Sequence, residues 1–429
     1  MEVRMKVLLV GGGGREHAIA TALVRSSRVD KLYCAPGNAG IARIAECVPI
    51  GVMEFEKLTA FAREKAIDLT VISMDDPLCA GIADAFEAAG LRVFGTRKNA
   101  AIIEGSKAFS KDLMKKYGIP TAAYEIFDDA EKALAYLETS RYPIVLKASG
   151  LALGKGVLIC EDREQARAGI AELMVDKKFG TAGDQIVIEE FMTGREVSAL
   201  AFVDGKHYKL MTSSQDHKRI GDGDTGLNTG GMGTFSPSPF YTEEVHRFCQ
   251  EHIYQKTVDA MAAEGRPFTG VLYFGLMLTQ DGPKVLEYNT RFGDPETQVV
   301  LPRMKTDIVD VMDACIDGTL DQIDLEFYDN AAVCVVLASG GYPQSYEKGK
   351  VITGLEKFDG AEGYYCFHAG TRFDSDGNVV TSGGRVLGVT AVGPTLKEAR
   401  AAAYEAAGWI HFDGQYMRHD IGKAIDAAE

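Results

Sequence analysis

Three features of the sequence predict a multidomain protein of mixed α/β and α+β class. Short apolar runs alternate with helix-period segments over residues 5–102. The stretch that follows is made of strands joined by glycine-rich turns, and the last part is strand-rich before one alanine-rich helix. A chain of 429 residues has room for two to four domains at about 150 residues each.

In chain order, Val7 to Val10 is a strand that runs through glycines into a helix over Glu16 to Arg25. Lys31 to Cys34 and Leu69 to Ser73 follow as strands with a helix over Leu58 to Lys65 between them, and Leu91 to Phe94 closes the series. Strands alternating with helices imply a parallel, doubly wound sheet with ligands at the strand C-termini. Residues 5–102 are therefore expected to form one N-terminal α/β domain.

Glu104 to Tyr117 has a helical pattern that Gly118-Ile119-Pro120 stops. Tyr142 to Lys147, Val157 to Ile159 and Gln185 to Glu190 read as strands, with a helix around Glu164 to Met174. A polar, glycine-rich loop runs from Gln215 to Gly233. Val271 to Leu278 and Lys284 to Asn289 then form an antiparallel pair across Asp281-Gly282-Pro283. Strands at Ala332 to Ala338, Gly363 to Thr371 and Arg385 to Val392 precede a helix at Leu396 to Ile410. That shift in composition places a small C-terminal α+β domain at 329–425 and a central domain at 103–328.

The net charge of −15 argues against a nucleic-acid partner, which needs basic surface to neutralise phosphates. No run of ~18 apolar residues suggests a membrane span, and the N-terminus lacks the parts of a signal peptide. The eight cysteines are scattered, with no C-x-x-C pair, so neither zinc nor thiol-redox chemistry is indicated. A cytoplasmic location is expected.

Gly11-Gly12-Gly13-Gly14-Arg15-Glu16-His17 follows a strand and opens a helix, a place where backbone N–H groups favour phosphate. A dinucleotide fingerprint fails, because Glu16 stands at the third glycine position and the second strand ends without an acid. A tight turn without a ligand is the plainer alternative. Pro36-Gly37-Asn38-Ala39-Gly40 is a second such loop, and two side by side favour a phosphosugar. Between Lys147 and Val157, Gly150-Leu151-Ala152-Leu153-Gly154-Lys155-Gly156 has the wrong spacing for a P-loop. With strands on both sides it reads as a hairpin flap whose Lys155, with Lys147, converges on a polyphosphate. Glu189-Glu190-Phe191-Met192 ends a strand and offers backbone groups to an adenine edge.

The strongest signal is Glu287-Tyr288-Asn289-Thr290-Arg291. Period-2 alternation puts Glu287, Asn289 and Arg291 on one face. A carboxylate and an amide oxygen suit magnesium, and an arginine forks onto a carboxylate or phosphate. Asp216-His217-Lys218-Arg219 opens the long loop, which fails as an EF-hand because Leu227 takes the glycine position. A polar loop of this kind inside a compact protein is expected to be a functional lid. Asp374 to Asn378 reads as a hairpin turn.

Together these segments closely resemble the phosphoribosylamine–glycine ligases, of the ATP-grasp superfamily, over essentially the whole chain. The resemblance rests on Gly11 to Ala18, Pro36 to Gly40, Glu104 to Phe109, Gly150 to Val157, Gln215 to Gly233 and Glu287 to Gln298. It implies a central ATP-grasp domain with a mobile flap subdomain at about 120–192. The implied reaction is ATP-dependent amide formation between glycine and 5-phosphoribosylamine through an acyl phosphate. Lys107, Lys147, Lys155, Glu189, Glu190, Met192 and Glu196 are the implied ATP site, and Glu287 and Asn289 the ligands of Mg²⁺, with Mn²⁺ as a substitute. Gly12, Gly13, Gly14, Gly37, Asn38, Asp75, Asp216, Arg291, Gly293 and Asp294 are the implied substrate set. Of these Arg291 and Asp216, with Lys155, are expected to be catalytic. The implied protein is a monomer acting on small molecules. The chain departs from the family at Ser73-Met74-Asp75 in place of Gly-Pro-Glu, at Ser149 and at Leu227. A sister ATP-grasp ligase and a nonenzymatic nucleotide-binding module are the alternatives.

Overall fold

The computed structural model describes residues 4–151 and 156–428. Its N-terminal part runs β1 (Met5–Gly11), α1 (Gly14–Arg25), β2 (Val29–Pro36), β3 (Glu46–Cys47), α2 (Phe55–Glu64), β4 (Leu69–Ile72), α3 (Asp75–Ala80), α4 (Ile82–Ala88) and β5 (Val93–Phe94). The strands form one parallel sheet in the order β3-β2-β1-β4-β5. Val7 to Val10 is wholly buried, as a central parallel strand covered on both faces should be. The strand order reverses between β1 and β4, so the loops after these strands open a crevice that holds Gly12 to Gly14 and Asp75.

The single helix expected over Glu104 to Tyr117 is two: α5 (Lys98–Gly105) and α6 (Lys107–Tyr117). Ser106 breaks them by leaving helical geometry (φ −140°, ψ 108°) and capping α6, its hydroxyl accepting from the Phe109 N–H. That break lets Glu104 and Lys107 serve different parts of the site, whereas caps of this kind are hard to see inside an unbroken apolar period.

A four-stranded antiparallel sheet follows, built from β6 (Tyr124–Phe127), β7 (Ile144–Ala148), β8 (Val157–Cys160) and β9 (Ile186–Glu190) in the order β6-β9-β7-β8. α7 (Ala130–Tyr136) and α8 (Arg163–Ile170) pack on it. The expected helix to Met174 stays α-helical only to Ile170 and continues as a π turn over Ala171–Val175. β7 and β8 pair as a hairpin with Lys147 opposite Val157. The hairpin tip with Lys155 lies outside the described residues.

The central sheet comprises β10 (Arg195–Asp204), β11 (Tyr208–Leu210), β16 (Thr269–Thr279) and β17 (Gly282–Asn289), in the order β11-β10-β16-β17. Between β11 and β16 lie β12 (Gln215–Asp216), β13 (Arg219–Gly221), β14 (Thr225–Asn228) and β15 (Gly233–Ser236). β16 and β17 are the predicted hairpin, its turn one residue tighter than expected because Thr279 already pairs with Gly282. A register shift falls where Gly275 pairs with Glu287 and Leu276 with Val285, leaving Leu286 as the extra residue of a bulge. Bulges re-aim side chains. Here the bulge sends Tyr288 and Thr290 into the core and turns Glu287, Asn289 and Arg291 toward the cleft.

The C-terminal sheet contains β18 (Ala331–Ser339), β19 (Tyr364–His368) and β22 (Arg385–Gly393), backed by α9 (Leu396–Ala407), with β23 (Gln415–Tyr416) pairing β18. Its order is β12-β15-β18-β22-β19, so two of its strands come from the long polar stretch well before residue 329. β20 (Thr371–Phe373) and β21 (Val379–Thr381) flank the turn predicted at Asp374 to Asn378. One apolar cluster joins β1, β10, β16, β18 and the segment after β17 through Val7, Phe202, Tyr273, Phe292 and Cys334. No helix among the described residues is long and apolar enough to cross a membrane.

Candidate active site

The end of β17 forms the floor of the site. Glu287 and Asn289 turn toward the cleft, and the Lys218 ammonium stands 3.3 Å from Glu287 Oε1 and 3.3 Å from Glu196 Oε2. Lys218 holds the Glu287 carboxyl down at about 2, against burial and with help from Lys147 and Lys107. Glu287 is therefore ionised at neutral pH. An ionised carboxylate beside an amide oxygen is a donor set that fits a hard divalent cation.

Arg291 lies past the strand end. Its Nη2 is 3.2 Å from Glu104 Oε1, 3.8 Å from Asp75 Oδ2 and 3.4 Å from Asn289 Oδ1. Its Nε is buried without a hydrogen-bond partner. Burial opposes the charge, but Glu104 and Asp75 raise the guanidinium above its ordinary value. Glu104 is fixed in turn by the Thr290 N–H and hydroxyl at 2.7 and 2.8 Å. Burial opposes ionisation of Asp75, yet Arg291 and Arg15 hold it below the usual carboxylate range. The acid at the departure Ser73-Met74-Asp75 thus reaches the same guanidinium as Glu104.

Asp216 faces the same space from β12. Burial and then Glu296 push its carboxyl well above its ordinary value. Glu296 is itself buried and accepts from the Ser198 hydroxyl at 3.0 Å. Gly231 (φ +118°) and Gly293 leave room for these acids: a Cβ would stand 2.7 Å from Asp216 Oδ1 at Gly231 and 2.5 Å from Glu296 Oε2 at Gly293. Asp294 is held by Arg385 at 3.2 Å and by Gln298 at 2.7 Å. Arg385 Nη1 also donates to the carbonyls of Gly230 and Asp294, both at 2.8 Å.

On the opposite wall, Lys147 and Lys111 converge on buried Glu189, Lys111 at 2.6 Å. Despite burial, these ammonium groups hold Glu189 below the usual carboxylate range. Its side chain therefore orients Lys147 rather than lying open. Glu189→Ala is expected to cost about 3–5 kcal/mol of stability in urea unfolding, because it leaves two buried ammonium groups without their partner. Lys107 donates to the Gly150 carbonyl at 3.2 Å. Glu190 accepts from the Ala123 N–H at 3.1 Å and lies 3.6 Å from Lys284. Met192 packs with Ala122, Met277 and Leu286 as a small apolar cluster, a surface suited to a flat aromatic base.

The two N-terminal loops touch. A Cβ on Gly12 would meet the Gly37 carbonyl at 2.5 Å, and Gly37 has φ +74°. Asn38 gives its whole side chain to this contact. Its Nδ2 donates to the carbonyls of Gly12 and His368, and its Oδ1 accepts from the N–H groups of Gly40 and Ile41. It is a clip between loops, not a free ligand. The Gly13 N–H is likewise taken, by Glu16 Oε2 at 2.7 Å. Glu16 also accepts from Arg15 and Ser73 at 2.6 and 2.7 Å. Gly13 and Gly14 look onto Asp294, so a phosphate here meets fewer open N–H groups than the glycine run suggests.

The long loop is not a free lid. Arg418 donates to Asp224 and the Arg219 carbonyl, Tyr416 to the Ile220 carbonyl, and the Gly223 N–H to Asp420. Arg418→Ala is expected to speed proteolytic cleavage after Lys218 and Arg219 by about tenfold as the loop frays. Cleavage at the wild-type rate would contradict the pinning.

Sequence reasoning missed four residues of this constellation: Lys218, Glu104, Glu296 and Arg385. Lys218, Glu296 and Glu104 stand inside motifs of the sequence but carried no assigned role. Arg385 reaches the site from the C-terminal sheet, and no local pattern announces it.

The sequence matches the N domain of phosphoribosylglycinamide synthetase over residues 5–104, its ATP-grasp (A) domain over 105–297 and its C domain over 332–424. The chain belongs to the phosphoribosylglycinamide synthetase family. A phosphoribosylamine–glycine ligase from Caldanaerobacter subterraneus is 49% identical over 417 residues, 97% of this chain and 99% of the relative. One from Salmonella typhimurium is 50% identical over 426 residues, 98% and 99% of the two chains. The crystal structure of the Thermotoga maritima phosphoribosylamine–glycine ligase superposes with a TM-score of 0.85 at 37% identity, covering 97% of this chain and 100% of that one. As in that family, the central ATP-grasp domain here lies between the N-terminal parallel sheet and the C-terminal domain.

Proposed function

We infer that the protein is a ligase that joins glycine to 5-phosphoribosylamine in purine biosynthesis, converting ATP to ADP and phosphate. Family membership supports the reaction, and one structural observation supports its siting. The row Glu287, Asn289 and Arg291 faces a cleft ringed by ammonium groups on one side and by the acid pair Asp216 and Glu296 on the other.

A carboxylate is a poor electrophile until its oxygen becomes a leaving group. In the route this site favours, a glycine carboxylate oxygen attacks the γ-phosphorus of ATP and the bond to ADP breaks, giving glycyl phosphate. The amine of phosphoribosylamine then attacks the carbonyl carbon, and phosphate leaves with the carbon–oxygen bond pair. The protein's part is to hold reactants in line, spread phosphate charge and exclude water.

Arg291, fixed by Glu104 and Asp75 and with its Nε unpartnered within the protein, is assigned the glycine carboxylate. Asp216 beside Glu296 is placed to receive the positive end of an amine or its departing proton. Lys107 and Lys147 are assigned the polyphosphate, with Lys155 of the hairpin tip. The Glu190 to Met192 segment is assigned adenine, and Glu196 the ribose of ATP. Gly293 and Asp294 position the reacting ends. The crevice at Gly12 to Gly14, Gly37 and Asp75 takes the phosphosugar, with Asn38 as its clip. Glu287 and Asn289 would hold Mg²⁺, or Mn²⁺ in its place, which supplies charge neutralisation on the phosphates when bound. The protein is proposed to act as a monomer in the cytoplasm; sedimentation as a single chain would bear out the monomer and a stable multimer would refute it.

Release of ADP in the presence of phosphoribosylamine distinguishes the candidate acids. Turnover that requires glycine is expected. Turnover with bicarbonate or formate alone points to a sister ligase, and none with any acid points to a binding module.

A further inference from the structure

Lys218 ties together two carboxylates with different assignments, Glu196 for ribose and Glu287 for the metal, at 3.3 Å each. The neighbouring cations are committed elsewhere. Lys147 pairs with Glu189 and donates to the Leu286 carbonyl, and Lys107 donates to the Gly150 carbonyl. Among the described residues, Lys218 is the one ammonium within ion-pair distance of Glu287.

The backbone of Lys218 is held independently of its side chain. Its carbonyl accepts from the Thr229 N–H at 2.8 Å and the Thr229 hydroxyl at 2.9 Å. The loop can stay in place while the four-carbon stem swings. Two carboxylates gathered in a partly buried cleft repel each other and favour a counter-charge between them. A divalent ion and an ammonium gathered on the same carboxylate repel each other strongly at low effective dielectric.

We propose that Lys218 is the resident counter-ion of the metal–nucleotide site, a positioning residue whose ammonium leaves Glu196 and Glu287 as metal and nucleotide take them over. The proposal rests on the assignment of Glu287 and Asn289 as metal ligands. It gives the bridge a cost: metal binding without nucleotide must first break it, so the bridge keeps the empty site charge-balanced and weakens premature metal capture.

The test is Mn²⁺ binding to the nucleotide-free full-length protein, with free Mn²⁺ counted by electron paramagnetic resonance at fixed ionic strength. Lys218→Met is expected to tighten Mn²⁺ binding by about tenfold, since a contacting competitor is removed. Lys107→Met removes a charge that acts on Glu287 only from a distance and is expected to shift the Kd by less than about threefold. Lys218→Ala provides a second removal, with thermal melts confirming that each variant is folded. Unchanged or weaker binding in both Lys218 variants overturns the proposal, as does an equal gain in Lys107→Met, which would mark a general charge effect. If Glu287→Ala binds Mn²⁺ as wild type does, the metal assignment itself fails, an outcome separable from the others.

Discussion

Glu287→Ala is expected to lower kcat for ADP release by at least about a thousandfold, because positioned charge on the phosphates carries most of the barrier reduction in such a transfer. Glu287 is the only carboxylate on the β17 row facing the cleft, and its depressed pKa of about 2 keeps it ionised throughout the physiological range. With alanine there, Asn289 alone remains of the assigned donors. The fold should survive. The Glu287 side chain is 36% exposed, and Lys218 retains its contact with Glu196, so the stability change should stay near about 1 kcal/mol. Wild-type turnover at saturating Mg²⁺, or a collapse of the thermal transition, would each contradict this account.

Arg291→Lys should show the second large effect, a rise in the glycine KM of about a hundredfold with ATP affinity changed less than threefold. Lysine keeps a positive charge beside Glu104 and Asp75 but cannot reproduce the planar fork or supply Nε. That nitrogen is buried and unpartnered within the protein, and a buried donor without an acceptor carries a desolvation cost that a bound carboxylate repays. Alanine is a poorer probe, because it leaves buried Glu104 without its guanidinium and costs about 3–5 kcal/mol of stability. Steady-state kinetics varying glycine at saturating ATP gives the comparison. An unchanged glycine KM would reassign Arg291 to holding the acids together.

Much of the fold could be read locally. Buried strands such as Val7 to Val10 declare themselves as unbroken apolar runs, and the flap hairpin follows from strands on both sides of a glycine-rich turn. What failed depended on single capping or bulging residues. Ser106 splits a helix that hydrophobic period alone leaves whole. The bulge at Leu286 decides which face Glu287 takes: continuing the pleat from Lys284 would have put Tyr288 in the cleft.

The site was legible as chemistry along one strand and obscure wherever distant segments meet. The alternation of Glu287, Asn289 and Arg291 was visible without coordinates, and the structure keeps all of them facing the cleft. Their partners come from the end of α5 (Glu104, on Arg291) and the polar loop (Lys218, on Glu287), while Arg385 of the C-terminal sheet fixes Asp294 beside them. Conversely, glycines and amides invite assignment to ligands that the protein has already replaced. Glu16 occupies the Gly13 N–H, and Asn38 spends all its bonding capacity on its own loops. A glycine run shows that backbone must come close to something; it does not show that the something is a ligand.

The most direct test follows oxygen. With both carboxylate oxygens of glycine labelled with ¹⁸O, one turnover in the presence of ATP, Mg²⁺ and phosphoribosylamine should place one labelled oxygen in the released phosphate and retain the other in the amide. Phosphate without label, with amide still formed, would contradict activation of the glycine carboxylate at this site.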